Sequence, residues 1–278
     1  MKTSSAGQDG EGAALESWPP ERHAYGTDPA QYGELYRPVG RPRGVAVVIH
    51  GGFWRAKYTA LLGRPLARDL AEHGWAAWNL EYRRVGNGGG HLTTLDDVSA
   101  GIDHLAVLEN LDLSTVVTIG HSAGGHLATF AAGRQRYQRW STSKVSVTAV
   151  IAQAAVMDLV AARRAALGNG AVDNYVGGPD VPINVETDPY QQIPLPVPVW
   201  CIHGWGDHEV PVAQSLSYVQ QARGQGARAN LVALDGDHFT VVDPDSVAWA
   251  VTRQLLDSLS TVPNDQSHLA GPAGEHIR

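Results

Sequence analysis

The chain reads as an α/β domain in which a mostly parallel central sheet is covered by helices on both faces. Three observations predict it. Short apolar runs alternate with stretches that carry apolar residues at helical spacing. The runs are apolar throughout rather than at every second position, as strands buried on both faces are. One of them ends in Gly120-His121-Ser122-Ala123-Gly124, a G-x-S-x-G pattern standing between a strand and a helix. With 278 residues, 43% of them hydrophobic, the chain is long enough to bury one large core.

In chain order, VAVVIH (45–50), WAAWNLEY (75–82), TVVTIG (115–120), VSVTAVIAQ (145–153), PVWCIHG (198–204) and ANLVALDG (229–236) read as strands. Between and after them, 59–73, 95–109, 123–133, 212–223 and 245–259 read as helices. The strand–helix alternation implies parallel pairing with helical crossovers. Residues 154–197 break the rhythm. They hold helix-like AVMDLVAARRAAL, then the Gly- and Pro-rich NGAVDNYVGGPDVPINVETDPY and QQIPLPVP. That is long for a connection within a sheet and predicts a small cap or lid, a plain surface excursion being the alternative. Residues 1–20, rich in Gly, Ser and acidic groups, and the tail 262–278 read as disordered. A single domain over 21–261 remains.

Composition narrows the function classes. The net charge of −7 and the scatter of the basic residues argue against a nucleic-acid partner, because phosphate binding rests on clustered Lys and Arg. The single cysteine, Cys201, lies in an apolar run and excludes a disulfide framework within the chain. The N-terminal stretch has no apolar signal-peptide core and no apolar run approaches a membrane span, so the expected location is cytoplasmic, with no membrane partner. A homodimer is left open.

The G-x-S-x-G bend explains the small residues around Ser122. A sharp strand-to-helix turn lifts a serine hydroxyl above the sheet, and side chains on the flanking glycines would collide with nearby backbone. It also puts the Ala123 N–H at a helix N-terminus, where it can face an oxyanion. A serine hydroxyl needs a base, and the base needs an orienting acid. In this architecture the acid and then the histidine follow the serine along the chain. GWGDHEVP offers Asp207 just past one predicted strand, and GDHF offers His238 at the matching place after the next. The expected catalytic set is therefore Ser122, Asp207 and His238. Asp158, Asp235 and Asp237 are weaker acids for the role, and Glu209 reads as solvated. His203 belongs to a strand, His208 points elsewhere, and His121 and His126 precede the acid. His50-Gly51-Gly52-Phe53-Trp54 follows the strand VAVVI, where further amide donors are expected; Gly51, Gly52 and Ala123 are the candidate oxyanion-hole positions, with His50 as a loop brace.

HGGFW, GHSAGG, GWGDHEVP and GDHF together resemble the α/β-hydrolase fold, and more narrowly its kynurenine formamidase (arylformamidase) and small-carboxylesterase branch, marked by His-Gly-Gly-x-Trp. The lead-in YGTDPAQYGELYRP is similar too, so the likeness covers roughly residues 25–260. Phe53 stands where the hormone-sensitive-lipase branch would show a third glycine. The resemblance implies a serine hydrolase that cleaves a small carboxylic ester or an aryl formamide through an acyl-enzyme. An aromatic-walled pocket would draw on Phe53, Trp54, Tyr175, Trp205 and Phe239. No cofactor is expected: the chain shows neither H-E-x-x-H nor a phosphate loop, and its His and Asp residues lack zinc-site spacing, so no metal is expected either. Two other readings compete. A ligand-binding protein of this fold usually lacks a triad member, and a dinucleotide-binding oxidoreductase would carry G-x-G-x-x-G after its first strand.

Overall fold

A computed structural model describes residues 19–260. The disorder expected for residues 1–20 and 262–278 falls outside them, apart from Pro19 and Pro20. The sheet begins with two strands that the hydrophobic pattern did not announce, β1 (Glu21–Ala24) and β2 (Tyr32–Tyr36). The six expected strands follow as β3 (Val45–Ile49), β4 (Ala76–Leu80), β5 (Val116–His121), β6 (Ala149–Gln153), β7 (Val199–Gly204) and β8 (Ala229–Leu234). They assemble in the order β1-β2-β4-β3-β5-β6-β7-β8. β1 and β2 pair antiparallel at one edge, and every pair from β4 to β8 is parallel.

Parallel strands need covered faces, and the helices supply the cover. Alternate residues of the central strands feed opposite cores. Ala46, Val48, Ile119 and Ile151 pack under α1 (Arg64–Glu72) with the C-terminal helix Val247–Leu259. Val47, Ile49, Val116 and Val150 pack under α2 (His91–Asp103) and α3 (Ala123–Gly133). Each fully buried Val, Ile or Leu in these cores is worth about 1.5–3 kcal/mol over leaving it in water. The second core also takes in α4 (Leu159–Arg164) and α5 (Leu167–Val176), and Tyr218 and Val219 of α6 (Ala213–Gly224). Val247–Leu259 is α7.

Two boundaries differ from expectation. β6 starts at Ala149, not Val145. The N–H groups of Lys144 and Val145 donate to the Asp103 carboxylate at 3.0 and 3.1 Å, and Arg134 donates to the Val145 carbonyl at 2.6 Å, so side chains take the partners that a strand would use. α2 starts at His91, after Gly90 at φ 121° turns the chain into it, and ends in a 3-10 turn at His104–Val107. Residues 154–197 fold into α4, α5 and a loop. Asp158 caps α4 by accepting from the Ala161 N–H at 2.8 Å. Asp188 ties the loop back to that helix by accepting from the Leu159 N–H at 3.1 Å.

Candidate active site

The turn after β5 is built by exclusion. A Cβ on Gly120 would lie 2.0 Å from the Gly124 carbonyl oxygen, and one on Gly124 would lie 2.1 Å from the Ile49 carbonyl oxygen. Neither fits, so the chain passes through only with hydrogen in both places. Ser122 sits between them at φ 57°, ψ −120°, a conformation that non-glycine residues rarely adopt and that surrounding contacts must hold. Its N–H donates to the Gln153 carbonyl at 2.8 Å, and its own carbonyl accepts from Gly125 at 3.0 Å.

Two parallel neighbours bring the other residues to the same sheet edge. Asp207 lies just past β7 and His238 just past β8. His238 Nδ1 is 2.7 Å from Asp207 Oδ2. A carboxylate only accepts, so Nδ1 carries the hydrogen and Nε2 keeps its lone pair. The other carboxylate oxygen accepts from the N–H groups of Glu209 and Val210 at 2.9 and 2.8 Å. His203 adds a further contact, Nε2 to Oδ2 at 3.1 Å, and the same nitrogen lies 2.9 Å from the Val210 carbonyl. Both of its partners accept, so Nε2 is the protonated nitrogen of His203 and Nδ1 receives the Ser215 hydroxyl at 2.8 Å. Burial alone would raise the Asp207 pKa; the hydrogen bonds from His203, His238 and Val210 outweigh it and hold the carboxyl well below its ordinary range. Ser122 and His238 border one cleft, and no hydrogen bond joins the hydroxyl to the imidazole.

The glycine loop after β3 closes the other side. Gly51 passes so near the turn that a Cβ would lie 2.7 Å from the His121 carbonyl oxygen and 3.0 Å from Ser122 Cβ. Gly52 has φ 107°, and Phe53 and Trp54 are also left-handed at 50° and 54°. Among the described residues the N–H groups of Gly52, Phe53 and Ala123 have no acceptor. Beneath the loop, His50 Nδ1 donates to the Gly51 carbonyl at 2.8 Å, while His50 Nε2 faces Arg84 at 3.1 Å. Arg84 pairs with Glu81, whose other oxygen accepts the Ala60 N–H at 2.9 Å. Burial, and after it the Arg84 charge, push His50 down to about 3, so it braces the loop as a neutral ring. His121 is pushed down to about 3 as well, first by burial and then by the neighbouring His238. Its Nε2 donates to the His238 carbonyl at 2.8 Å, which ties the histidine loop to the serine turn.

The cleft has a volume of about 260 Å³. Val48, Ile119, Leu62, Leu66 and Val242 are aliphatic residues of its lining, which also includes Gly51, Gly52, Phe53, Ser122, His238 and Phe239. Of the five aromatic residues expected to line it, Phe53 and Phe239 do. Trp54 and Tyr175 do not: both are buried in the core, stacked at 4.6 Å, and the Trp54 indole N–H donates to His126 Nδ1 at 3.3 Å. Trp205 is exposed outside the cleft. Those three leave the substrate wall because each ring either meets a core partner or faces solvent. Among the described residues, none from 154–197 lines the cleft; the segment lies behind Phe53, where Gly168 leaves room for the ring. Sequence reasoning missed Tyr58 in the cleft and the supporting roles of His203, Glu81 and Arg84. His203 carried one signal, a polar residue four before Asp207 inside an otherwise apolar strand. Among the described residues no His, Cys, Asp and Glu cluster could hold a metal ion, and no helix is long and apolar enough to cross a membrane.

A family described as BD-FAE matches residues 34–221. The chain is 24% identical to the "Probable isoprenylcysteine alpha-carbonyl methylesterase ICMEL1" of Oryza sativa subsp. japonica, over 91% of this chain and 66% of that protein. It is 26% identical to "Esterase LipC" of Mycobacterium tuberculosis, over 73% of this chain and 54% of that protein. The chain thus spans just under two-thirds and about half the length of these two relatives. Among solved structures, tributyrin-phosphonate-inhibited Esterase B of Lactobacillus rhamnosis superposes with a TM-score of 0.73 at 23% identity, covering 86% of this chain and 84% of that one. At that identity the likeness is one of fold, and it establishes the α/β-hydrolase architecture.

Proposed function

The chain belongs to the BD-FAE family, and from that premise we propose that it is a serine carboxylesterase that transfers short acyl groups from small esters to water. One observation carries the reading: the ends of β5, β7 and β8 converge on one cleft, where an Asp207–His238 pair with a free Nε2 borders a strained, glycine-flanked Ser122.

In the proposed mechanism Ser122 attacks the ester carbonyl as His238 Nε2 takes its proton. The Nε2–Oγ hydrogen bond closes when substrate orders the cleft, as such bonds often tighten only in the complex. The unoccupied N–H groups of Gly52, Phe53 and Ala123 receive the oxyanion of the tetrahedral intermediate. Gly51, assigned to that role from the sequence, likewise has an N–H without an acceptor among the described residues, and its lack of a Cβ leaves clearance between loop and turn. The proton on His238 then passes to the departing alcohol oxygen, the C–O bond breaks, and water repeats the cycle on the acyl-enzyme. Asp207 fixes the imidazole tautomer and offsets its transient charge.

Acyl size follows from volume. About 260 Å³ lies below the 300–1,000 Å³ common for drug-sized ligands, and Val48, Ile119, Leu66 and Val242 give the lining an aliphatic part. A short acyl chain suits it. The esterase names of both curated relatives support the same class. The finer reading, an aryl formamide such as N-formylkynurenine, rests on the HGGFW likeness and loses two of its aromatic walls, Trp54 and Tyr175, to the core. Comparing kcat/KM for p-nitrophenyl acetate, butyrate and octanoate with that for N-formylkynurenine tests both. Acetate or butyrate should lead, with octanoate lower by roughly tenfold or more. A formamide preferred by orders of magnitude would move the substrate class, and no ester turnover would remove the reading.

A further inference from the structure

We propose that the leaving-group side of this cleft selects esters whose alcohol carries a positive charge, such as quaternary amino-alcohol esters, with Glu209 as the specificity-determining residue. The inference rests on the serine-esterase reading above.

Sheet order decides which substrate half meets which wall. Ser122 follows β5; the glycine loop follows β3 on one side of it, and the loops after β7 and β8 lie on the other. The carbonyl oxygen must turn toward the glycine-loop amides, and the departing oxygen must come within reach of His238 to be protonated. The alcohol therefore leaves past the β7 and β8 loops. There the cleft is lined by Glu209 and Phe239, both exposed.

The backbone of Glu209 is fixed relative to the reacting pair, because its N–H donates to Asp207 at 2.9 Å. Its carboxylate has no hydrogen-bond or ion-pair partner among the described residues. Among the described residues no Lys or Arg lines the cleft. On the β3 side, Arg55 stands 5.7 Å from the Phe53 ring and Lys57 5.4 Å from the Tyr58 ring. The other imidazoles on the cleft, His50 and His121, are held neutral by burial. The alcohol end is thus anionic and flanked by an aromatic ring. A carboxylate attracts an ammonium by charge, and a phenyl face adds the pull of its quadrupole. The net charge of −7 draws cations toward the surface in the same sense.

The test uses two butyrates of one shape: butyrylcholine and its neutral carbon isostere, 3,3-dimethylbutyl butyrate. kcat/KM is measured at low salt for the full chain, Glu209→Gln and Glu209→Lys. The native protein should favour the cation by about five- to tenfold. That ratio should fall toward one in Glu209→Gln, invert in Glu209→Lys, and shrink for the native protein at about 0.5 M salt. A native ratio at or below one, or a ratio indifferent to both substitutions, overturns the proposal while turnover of the neutral ester leaves the esterase reading standing. Failure to hydrolyse either ester overturns both.

Discussion

Asp207 shows how much one side chain is asked to do. Its two oxygens receive two backbone N–H groups and lie against two imidazoles, and this satisfied shell is why the carboxylate stays ionised although buried. Asparagine in its place would retain one acceptor oxygen and set an NH₂ against donors, so the His238 tautomer would no longer be fixed. Asp207→Asn is expected to lower kcat on a short ester by about 10⁴-fold, the scale seen when a triad acid is replaced by its amide, with the far-ultraviolet circular dichroism unchanged. A loss under tenfold would count against this placement of the acid. That Ser122, Asp207 and His238 come to one sheet edge was legible because each stands at the end of an apolar run, where a parallel sheet gathers its loops. Trp54 and Tyr175 were not. An aromatic next to a glycine loop looks the same in sequence whether it faces substrate or core, and only the Trp54–His126 bond and the Tyr175 stack decide for the core.

The elements were legible in proportion to how uniformly apolar they are. β3 to β7 are buried on both faces and announce themselves. β1 is largely exposed, and β2 carries Glu34, whose partners lie far away along the chain, so no local apolar pattern marks either strand. Glu34 of β2 is buried only because Arg64 of α1 and Asn79 of β4 bind its carboxylate, with Arg64 Nε at 2.9 Å and Asn79 Nδ2 at 3.1 Å. The same blindness hid the start of β6, where Asp103 and Arg134 capture the backbone of residues 144 and 145. The 154–197 segment was recognisable as an insertion from its length and its Gly and Pro content. Its docking through Tyr175, Asp188 and Gly168 depends on contacts that composition does not encode.

For the whole molecule, buried neutral histidines set a limit in acid. Burial pushes His50 down to about 3 and His126 down to about 4, against about 6.5 in an unfolded chain. His121, partly open to the cleft, shifts in the same direction. Below about pH 6.5 the unfolded chain takes up these protons and the fold does not, so stability is full above that pH and is lost as the pH falls toward 4. The limiting slope is about 1.4 kcal/mol per pH unit for each such histidine, or at most about 3 for His50 and His126 together. Asp207, with its lowered pKa, adds a loss of the same sign once the pH drops below about 4. Urea midpoints should therefore decline from pH 7 to pH 5; equal midpoints across that range would contradict this picture of the buried rings. The claim on which the function depends is that one hydroxyl, on Ser122, receives the acyl group. Intact-mass and peptide measurement after treatment with a fluorophosphonate tests it most directly. A single adduct on Ser122 is expected, blocked by excess butyrate ester and absent from Ser122→Ala along with turnover; a folded Ser122→Ala protein that still hydrolyses the ester, or an adduct on another residue, would overturn the assignment of the nucleophile.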